Sequence, residues 1–275
     1  ILRAAKKLFI SQPSITKSIK KLEQQLGVLL FIRKPSGVTL TKEGELFHAF
    51  CLKSLNNISD GLDELYSVTQ GEKGTIRIGS SSTVIRYLLL DFFKYFSNKY
   101  PNINITISDG YSQQLLHLLK SGDVDLNIMY TPIDNIDLFE KTLISHIEDC
   151  FIIKASSKIK FLKKEDFIKH PFILQKRPSN NRDFFEDLCI KNNIEITPKY
   201  ELSSFNLITD FVSNNLGIAY SIKEFVKKDI KENKVKILNS DFKLKKRDLV
   251  ILTNKDSKFR HLNKIFIDEI YKFFN

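Results

Sequence analysis

The sequence predicts an α/β protein preceded by a small helical head and one long helix. Three observations carry this. Apolar residues follow a helical period up to about residue 65, then alternate between strand-like and helix-like runs. The later part repeats the order strand, helix, strand twice, which implies sheets covered by helices. The positive charge is unevenly placed: the formal net charge is +11, and residues 1–50 alone carry nine Lys or Arg against three acids. Such a basic N-terminus suits a partner rich in phosphate.

Taken in order, Ala4, Ala5, Leu8 and Phe9 place one apolar face on a first helix. Ser11 stands where an N-cap belongs, and Pro13 falls in the first turn of a second helix, where its missing N–H costs little. Ile15, Ile19, Leu22 and Leu26 form its buried stripe, and Ser14, Thr16, Lys17, Ser18, Lys20 and Lys21 its polar faces. Gly27 closes it. Two helices so arranged match a DNA-reading helix-turn-helix. Phe31 to Thr41 alternates around Pro35, Ser36 and Gly37, as a two-stranded wing does, with Arg33 and Lys34 near its tip.

Thr41 caps the long helix, with Gly44 where a capping-box Glu would stand. Phe47, Cys51, Leu55, Ile58, Leu62 and Leu65 form a narrow apolar edge of the coiled-coil kind, with Asn56, Asn57, Asp60, Asp63 and Glu64 opposite. An edge this narrow predicts pairing with a second copy, which would place two reading heads on one two-fold axis. Gln70 to Gly74 reads as a hinge.

Strands are then expected at 75–79, 103–107 and 125–129, with helices over 88–96 and 115–121. A second run has strands near 150–153, 172–174, 199–202 and 217–219, and helices near 182–191, 205–214 and 223–229. A late strand at 249–252 and a final helix over 259–273 return to the first lobe. The expected division is 1–41 for the head, 42–70 for the linker helix, 75–146 with 248–275 for lobe I, and 147–247 for lobe II.

The pattern AA…LF.SQPS.TK.I..LE..LG..LF.R….LT.EG, from Ala4 to Gly44, resembles the N-terminal domain of LysR-type transcriptional regulators. GTIRIGSSST (74–83), SGDVDLNI (121–128) and NLGIAY (215–220) resemble that family's effector domain, in the same order. The resemblance implies a winged helix-turn-helix, a dimerising linker helix and two lobes of the type 2 periplasmic-binding-protein kind. It also implies one further helix ahead of Ile1, since the chain opens inside a helix and its only methionine is Met129. Double-stranded promoter DNA carrying an inverted repeat, a small-molecule effector and self-association as dimer or tetramer are the implied partners.

Gln12, Pro13, Ser14, Thr16 and Lys17 stand where the family faces the groove. Gln suits adenine, Thr a thymine methyl, and Lys guanine or phosphate. Lys20 and Arg33 suit phosphate contacts. Ile32 replaces the acid that the family often places before this Arg. In an open α/β sheet, ligands sit at the carboxyl ends of strands. Ser80, Ser81, Ser82 and Thr83, Tyr130 and Thr131, and Ser203 and Ser204 occupy such ends, and their hydroxyls suit an anionic effector. The loop from Arg177 to Arg182 has the same setting but carries Pro178, Asn180 and Asn181 where relatives often use glycine.

Cys51, Cys150 and Cys189 are far apart, so neither a disulfide framework nor a zinc site is expected. No signal peptide or membrane-length apolar run is visible, which predicts a cytoplasmic protein. No GxGxxG, GxxxxGK[ST] or GxSxG is present, so no cofactor and no catalytic site are expected. The rival reading is a bilobed binding protein or enzyme with no DNA function.

Overall fold

A computed structural model describes residues 1–34, 37–70, 73–255 and 261–275. Within these, nothing is said of the side chains of Arg3, Asp60, Asp63, Glu64 and Tyr66 to Gln70. Pro35 and Ser36 of the expected wing turn, Gly71 and Glu72 of the expected hinge, Phe259 at the expected start of the last helix, and the polar-face side chains of Asp60, Asp63 and Glu64 therefore lie outside the described residues. The chain forms two compact units, Ile1–Leu62 and Asp63–Asn275.

In the first unit, α1 (Leu2–Leu8) and α2 (Gln12–Leu26) form the helix pair. The Ser11 hydroxyl accepts from the Ser14 amide at 3.3 Å, and Gly27 closes α2 at φ 70°. The buried centre is small: Ala5, Ile15 and Leu30. Ile19 and Leu22 are half-buried, while Leu26 is exposed. The expected apolar face of α1 shrinks to Ala5. The helix ends at Leu8, and Phe9 turns left-handed (φ 54°), which carries its ring off that face to 96% exposure.

Strands β1 (Phe31–Lys34) and β2 (Gly37–Leu40) pair antiparallel as the wing. Glu23 fastens the wing to α2, accepting from the amides of Leu30 (2.8 Å) and Phe31 (3.2 Å). Helix α3 (Lys42–Gln70) follows. The Thr41 hydroxyl accepts from the Gly44 amide at 2.9 Å and donates to the Leu29 carbonyl at 2.7 Å. A Cβ on Gly44 would lie 2.1 Å from the Leu30 carbonyl oxygen. Gly44 is thus set by close approach of α3 to the wing and is more than a missing capping-box acid.

In the second unit, β3 (Gly74–Ser80) leads to a single turn α4 (Ser82–Val84), a π-helical turn at Ile85–Leu89, and α5 (Leu90–Lys99). Then come β4 (Ile103–Asp109), α6 (Ser112–Ser121), β5 (Leu126–Tyr130), the sixteen-residue β6 (Phe139–Lys154) and the short β7 (Phe161–Leu162). The rest is β8 (Phe172–Gln175), α7 (Asn180–Lys191), β9 (Tyr200–Leu202), α8 (Phe205–Ser213), β10 (Ile218–Ile222), a 3-10 turn at Lys223–Val226, α9 (Lys227–Lys231), β11 (Val235–Ser240), β12 (Lys246–Asn254) and α10 (His261–Phe274).

The expected parallel pairing holds for β3 with β4 and β5, and for β8 with β9 and β10. The sheet as a whole is mixed, because β12 runs antiparallel to β5 and β6, and β6 antiparallel to β10 and β11. The reason is connectivity. β6 carries the chain out of lobe I and β12 brings it back, so the two crossing strands lie side by side in opposite directions. Partners along β6 change after Glu148: Phe139–Glu148 face β12, and Asp149–Lys154 face β10 and β11.

One apolar core runs through both lobes, from Ile76, Phe92 and Phe266 to Phe205, Ile208 and Phe225. Phe266 meets Phe92 and Phe96 edge-on, each at 5.1 Å between centroids. Such aromatic contacts add about 0.5–1.5 kcal/mol each beyond burial. Asp125 of the SGDVDLNI phrase accepts from the Arg77 amide (2.8 Å) and guanidinium (2.5 Å), so that acid joins β3 to the start of β5.

Glu269 on α10 accepts from Tyr95 (2.6 Å) and Lys99 (2.7 Å) on α5. Burial would raise its pKa, but hydrogen bonds from Lys99, Tyr95 and Lys272 outweigh this and hold it at about 2, below its ordinary 4.5. A depressed carboxylate adds stability above its ordinary pKa and loses it as pH falls through the folded value. Glu269→Gln is expected to cost about 1 kcal/mol near neutral pH, the charged hydrogen-bond value reduced by the exposure of Lys99. Urea midpoints measured from pH 7 to pH 2 should show the gap to wild type closing below about pH 4.5; a constant gap contradicts this. Gly44→Ala should destabilise the first unit by about 1–3 kcal/mol, the usual cost of forcing extra volume into a packed site, read from its own unfolding transition.

Candidate DNA-reading face and effector cleft

Gln12, Pro13, Thr16, Lys17 and Lys20 line one shallow concave strip along α2, together with Lys21 and Gln24. Gln12, Pro13, Ser14, Lys17 and Lys20 are exposed, and Thr16 is half-buried. Ser14 lies at the edge, its hydroxyl 2.9 Å from that of Ser11. Arg33 is exposed on β1. The strip therefore offers amide, methyl and ammonium groups at helical spacing, with a guanidinium on the wing.

Along α3, Leu55 and Ile58 are each 64% exposed, and Leu62 and Leu65 are exposed as well. Cys51 and Phe47 are half-buried. The apolar edge read from the sequence thus lies at the surface of this chain.

The candidate effector residues fall into distinct settings. Ser80 is fully buried, and its hydroxyl donates to the Ile128 carbonyl at 2.8 Å, binding β3 to β5. It serves the sheet and is not offered to a ligand, because it still belongs to the strand while the next residue begins the turn. The Ser81 hydroxyl accepts from the Val84 amide at 3.3 Å as the N-cap of α4, and Ser82 is exposed beside it. Thr83 is half-buried. Ser203 and Ser204 are exposed before α8, and Ser204 makes no side-chain cap bond. The Thr131 hydroxyl accepts from the Asp248 amide at 3.0 Å, which ties the end of β5 to β12.

These settings meet through aromatic rings. Tyr87 on the π turn stacks on Phe225, touches Phe205 edge-on (5.4 Å each), and donates a hydrogen bond to Asn206. Tyr130 meets Phe225 at 6.2 Å. Burial pushes the hydroxyls of Tyr87 and Tyr130 above their ordinary pKa, so both stay neutral donors. On the other side, Asn180 donates to the Pro132 carbonyl at 2.5 Å, joining lobe II to lobe I.

Between these bridges lies a group that sequence reasoning passed over. Arg247, at the start of β12, is 2% exposed. Its Nη2 donates to Asp149 Oδ1 (2.5 Å) and Asn181 Oδ1 (2.6 Å). Its guanidinium lies over Tyr130 (4.8 Å) and Phe184 (4.7 Å). The Tyr220 hydroxyl sits beside Asp149 without a well-directed hydrogen bond. Burial raises the Asp149 pKa, and Arg247 pulls it back in part. The signal in the sequence was one Arg beginning a strand 98 residues from its acid, which no local pattern exposes.

The comparisons with known proteins agree with this architecture. Residues 1–45 match the model for bacterial regulatory helix-turn-helix proteins of the lysR family, and residues 69–274 match the LysR substrate binding domain. The chain belongs to the lysR family. It is a DNA-binding transcription regulator with an effector-binding domain. A probable RuBisCO transcriptional regulator from Thalassiosira pseudonana is 28% identical over 280 residues, covering 98% of this chain and 91% of that protein. Full-length OxyR from Pseudomonas aeruginosa superposes with a TM-score of 0.74 at 20% identity, covering 98% of this chain and 88% of that one. The CcmR regulatory domain of Synechocystis PCC6803, solved in complex with 2-PG, gives 0.67 at 17% identity, covering 74% of this chain and 98% of that domain.

Two of the three cysteines of this family member are poorly placed for redox chemistry. Cys150 and Cys189 are buried free thiols. Burial pushes Cys150 well above the ordinary thiol range and Cys189 up to about 12, so neither holds much reactive thiolate. With an aromatic disulfide reagent at pH 7, Cys150 and Cys189 should stay unreacted in the native protein and react only after denaturation. Rapid native reaction of Cys150 or Cys189 contradicts this.

Proposed function

We propose that this regulator reads promoter DNA through α2, with Gln12, Pro13, Ser14, Thr16 and Lys17 facing the groove and Lys20 and Arg33 on phosphates. The observation that carries the reading is the shared strip along α2, where groups able to pair with base edges stand beside exposed lysines. The exposed apolar edge of α3 supports dimerisation through residues 42–70, so that two heads meet an inverted repeat. The head is assigned to 1–41 and the effector domain to two lobes, 75–146 with 248–275 and 147–247.

The effector enters between the lobes, near Ser81, Ser82, Thr83, Tyr130, Thr131, Ser203 and Ser204. Hydroxyls and helix starts on both sides favour an anion. The CcmR domain, similar in fold, holds 2-PG, which supports a small ligand in this domain. A ligand that binds one arrangement of the lobes better than another shifts the population toward it, and the shift reaches the DNA through the linked dimer. The protein works by binding without catalysis, in the cytoplasm; the relatives are named as transcription regulators.

The test is fluorescence anisotropy of the full-length protein on the DNA upstream of its own gene. Gln12→Ala and Lys17→Ala should each weaken binding by about 1–3 kcal/mol and relax base preference. Lys20→Ala should weaken binding evenly across sequences and lower the salt slope by about 1. Unchanged affinity in all three variants, on DNA that the wild type binds selectively, contradicts the assigned reading face.

A further inference from the structure

Lobe II carries a charge that its fold does not need. Residues 147–247 hold 21 Lys or Arg against 14 acids, whereas 75–146 with 248–275 hold 11 of each. A composition merely rich in lysine would load both lobes alike. Part of the excess gathers just past the end of β6, where residues 154–164 hold five lysines and no acid. This segment runs through β7, which pairs with β11 alone among the described residues and so forms an outer margin of the sheet. Ile159 packs against the lobe II core and Leu162 is fully buried, so apolar residues hold the segment down. Lys158, Lys160, Phe161 and Lys163 are left exposed. The start of β11 brings two more cations beside them. Val235 stands opposite Lys154 in the ladder, with Lys234 and Lys236 on either side of it, and Lys236 Nζ donates to the Ser157 carbonyl at 2.5 Å. Few acids answer this charge. Glu232 takes Lys234 at 2.8 Å, and Asp166 takes Lys169 at 3.2 Å. Lys154, Lys158, Lys160 and Lys163 form no ion pair among the described residues. Such like charges repel, and folding gains nothing from gathering them.

We propose that this margin of lobe II is a second contact with double-stranded DNA, made to phosphates that flank the site read by the head. It holds whichever residues of α2 read the bases. Lysine is a mobile, hydrated point charge that meets phosphates without fixed geometry. Protein interfaces draw on the opposite set: lysine is depleted there, and aromatic or arginine anchors fill pockets. Within residues 154–164, Phe161 is the one large apolar side chain left exposed. A head bound to its operator also keeps flanking duplex at high local concentration near the tethered lobe, so individually weak contacts count. The contact adds affinity and salt dependence and carries no base preference.

The experiment is fluorescence anisotropy of the full-length protein on two duplexes, followed against salt concentration. One is the shortest duplex that it binds selectively. The other is the same duplex extended on each side by about 20 base pairs of scrambled sequence, two helical turns. The wild type should show a salt slope steeper by about 2–3 on the extended duplex, since each neutralised phosphate adds about 0.9. Lys158→Gln/Lys160→Gln/Lys163→Gln should lose that increment and bind the short duplex as the wild type does, which also shows that it folds. Lys158→Arg/Lys160→Arg/Lys163→Arg should keep the increment. So should Lys94→Gln/Lys120→Gln/Lys264→Gln, which removes the same charge from exposed positions of lobe I. An extended duplex that adds no slope to the wild type leaves these lysines to an acidic protein surface and overturns the proposal. An increment that the lobe II Gln variant keeps overturns it as well. Equal loss in both Gln variants means that net charge alone acts, and a lobe II Gln variant that binds the short duplex more weakly contradicts a contact on flanking DNA.

Discussion

The second unit depends on the buried pair of Arg247 and Asp149. They sit on β12 and β6, the two strands that carry the chain between the lobes, at the point where β6 leaves one set of partners for the other. Removing two charges from water is expensive, and their attraction repays it only when the geometry is good. Here the pair is flanked by two aromatic faces and by Asn181 at the start of α7. It therefore fixes four things at once: the crossing strands, the end of β5 at Tyr130, the first turn of α7, and the orientation of a guanidinium in the cleft. The aromatic contacts around Tyr87 and Phe225 close the other side.

The DNA-reading unit is built on a different scale. Its buried apolar residues are few, so polar ties carry much of its precision. Glu23 holds the wing to α2, Thr41 joins the end of the wing to α3, and Gly44 allows the two backbones to approach. None of these residues faces the strip along α2. Their effect on DNA binding runs through the position of the wing and the helix, which is how a small domain keeps its reading face in register with little core.

Much of this was legible in the sequence because it is local. Ser11, Pro13 and Gly27 mark the bounds of α2 by backbone chemistry, and the edge on α3 follows from spacing alone. What was missed depends on distant partners. Gly44 looked like a defective capping box, because the Leu30 carbonyl that forbids a side chain there is invisible in a local window. Ser80 and Ser81 looked alike, yet one residue of strand phase separates a sheet hydroxyl from a helix cap. Strand β11, which pairs with β6, was not foreseen, nor was the π turn that presents Tyr87 to the second lobe. Arg247 was passed over, since its acid, its amide and its two rings come from three separate segments, β5, β6 and α7.

The measurement that bears most directly on this account is a double-mutant cycle on the crossing, with Arg247→Met, Asp149→Leu and the pair unfolded in urea. If the buried ion pair organises the junction, each single variant strands a charge and loses about 3–5 kcal/mol, while the double variant loses far less than the sum. Losses that simply add would show that the two side chains act independently, and the crossing would then be held by the strands alone.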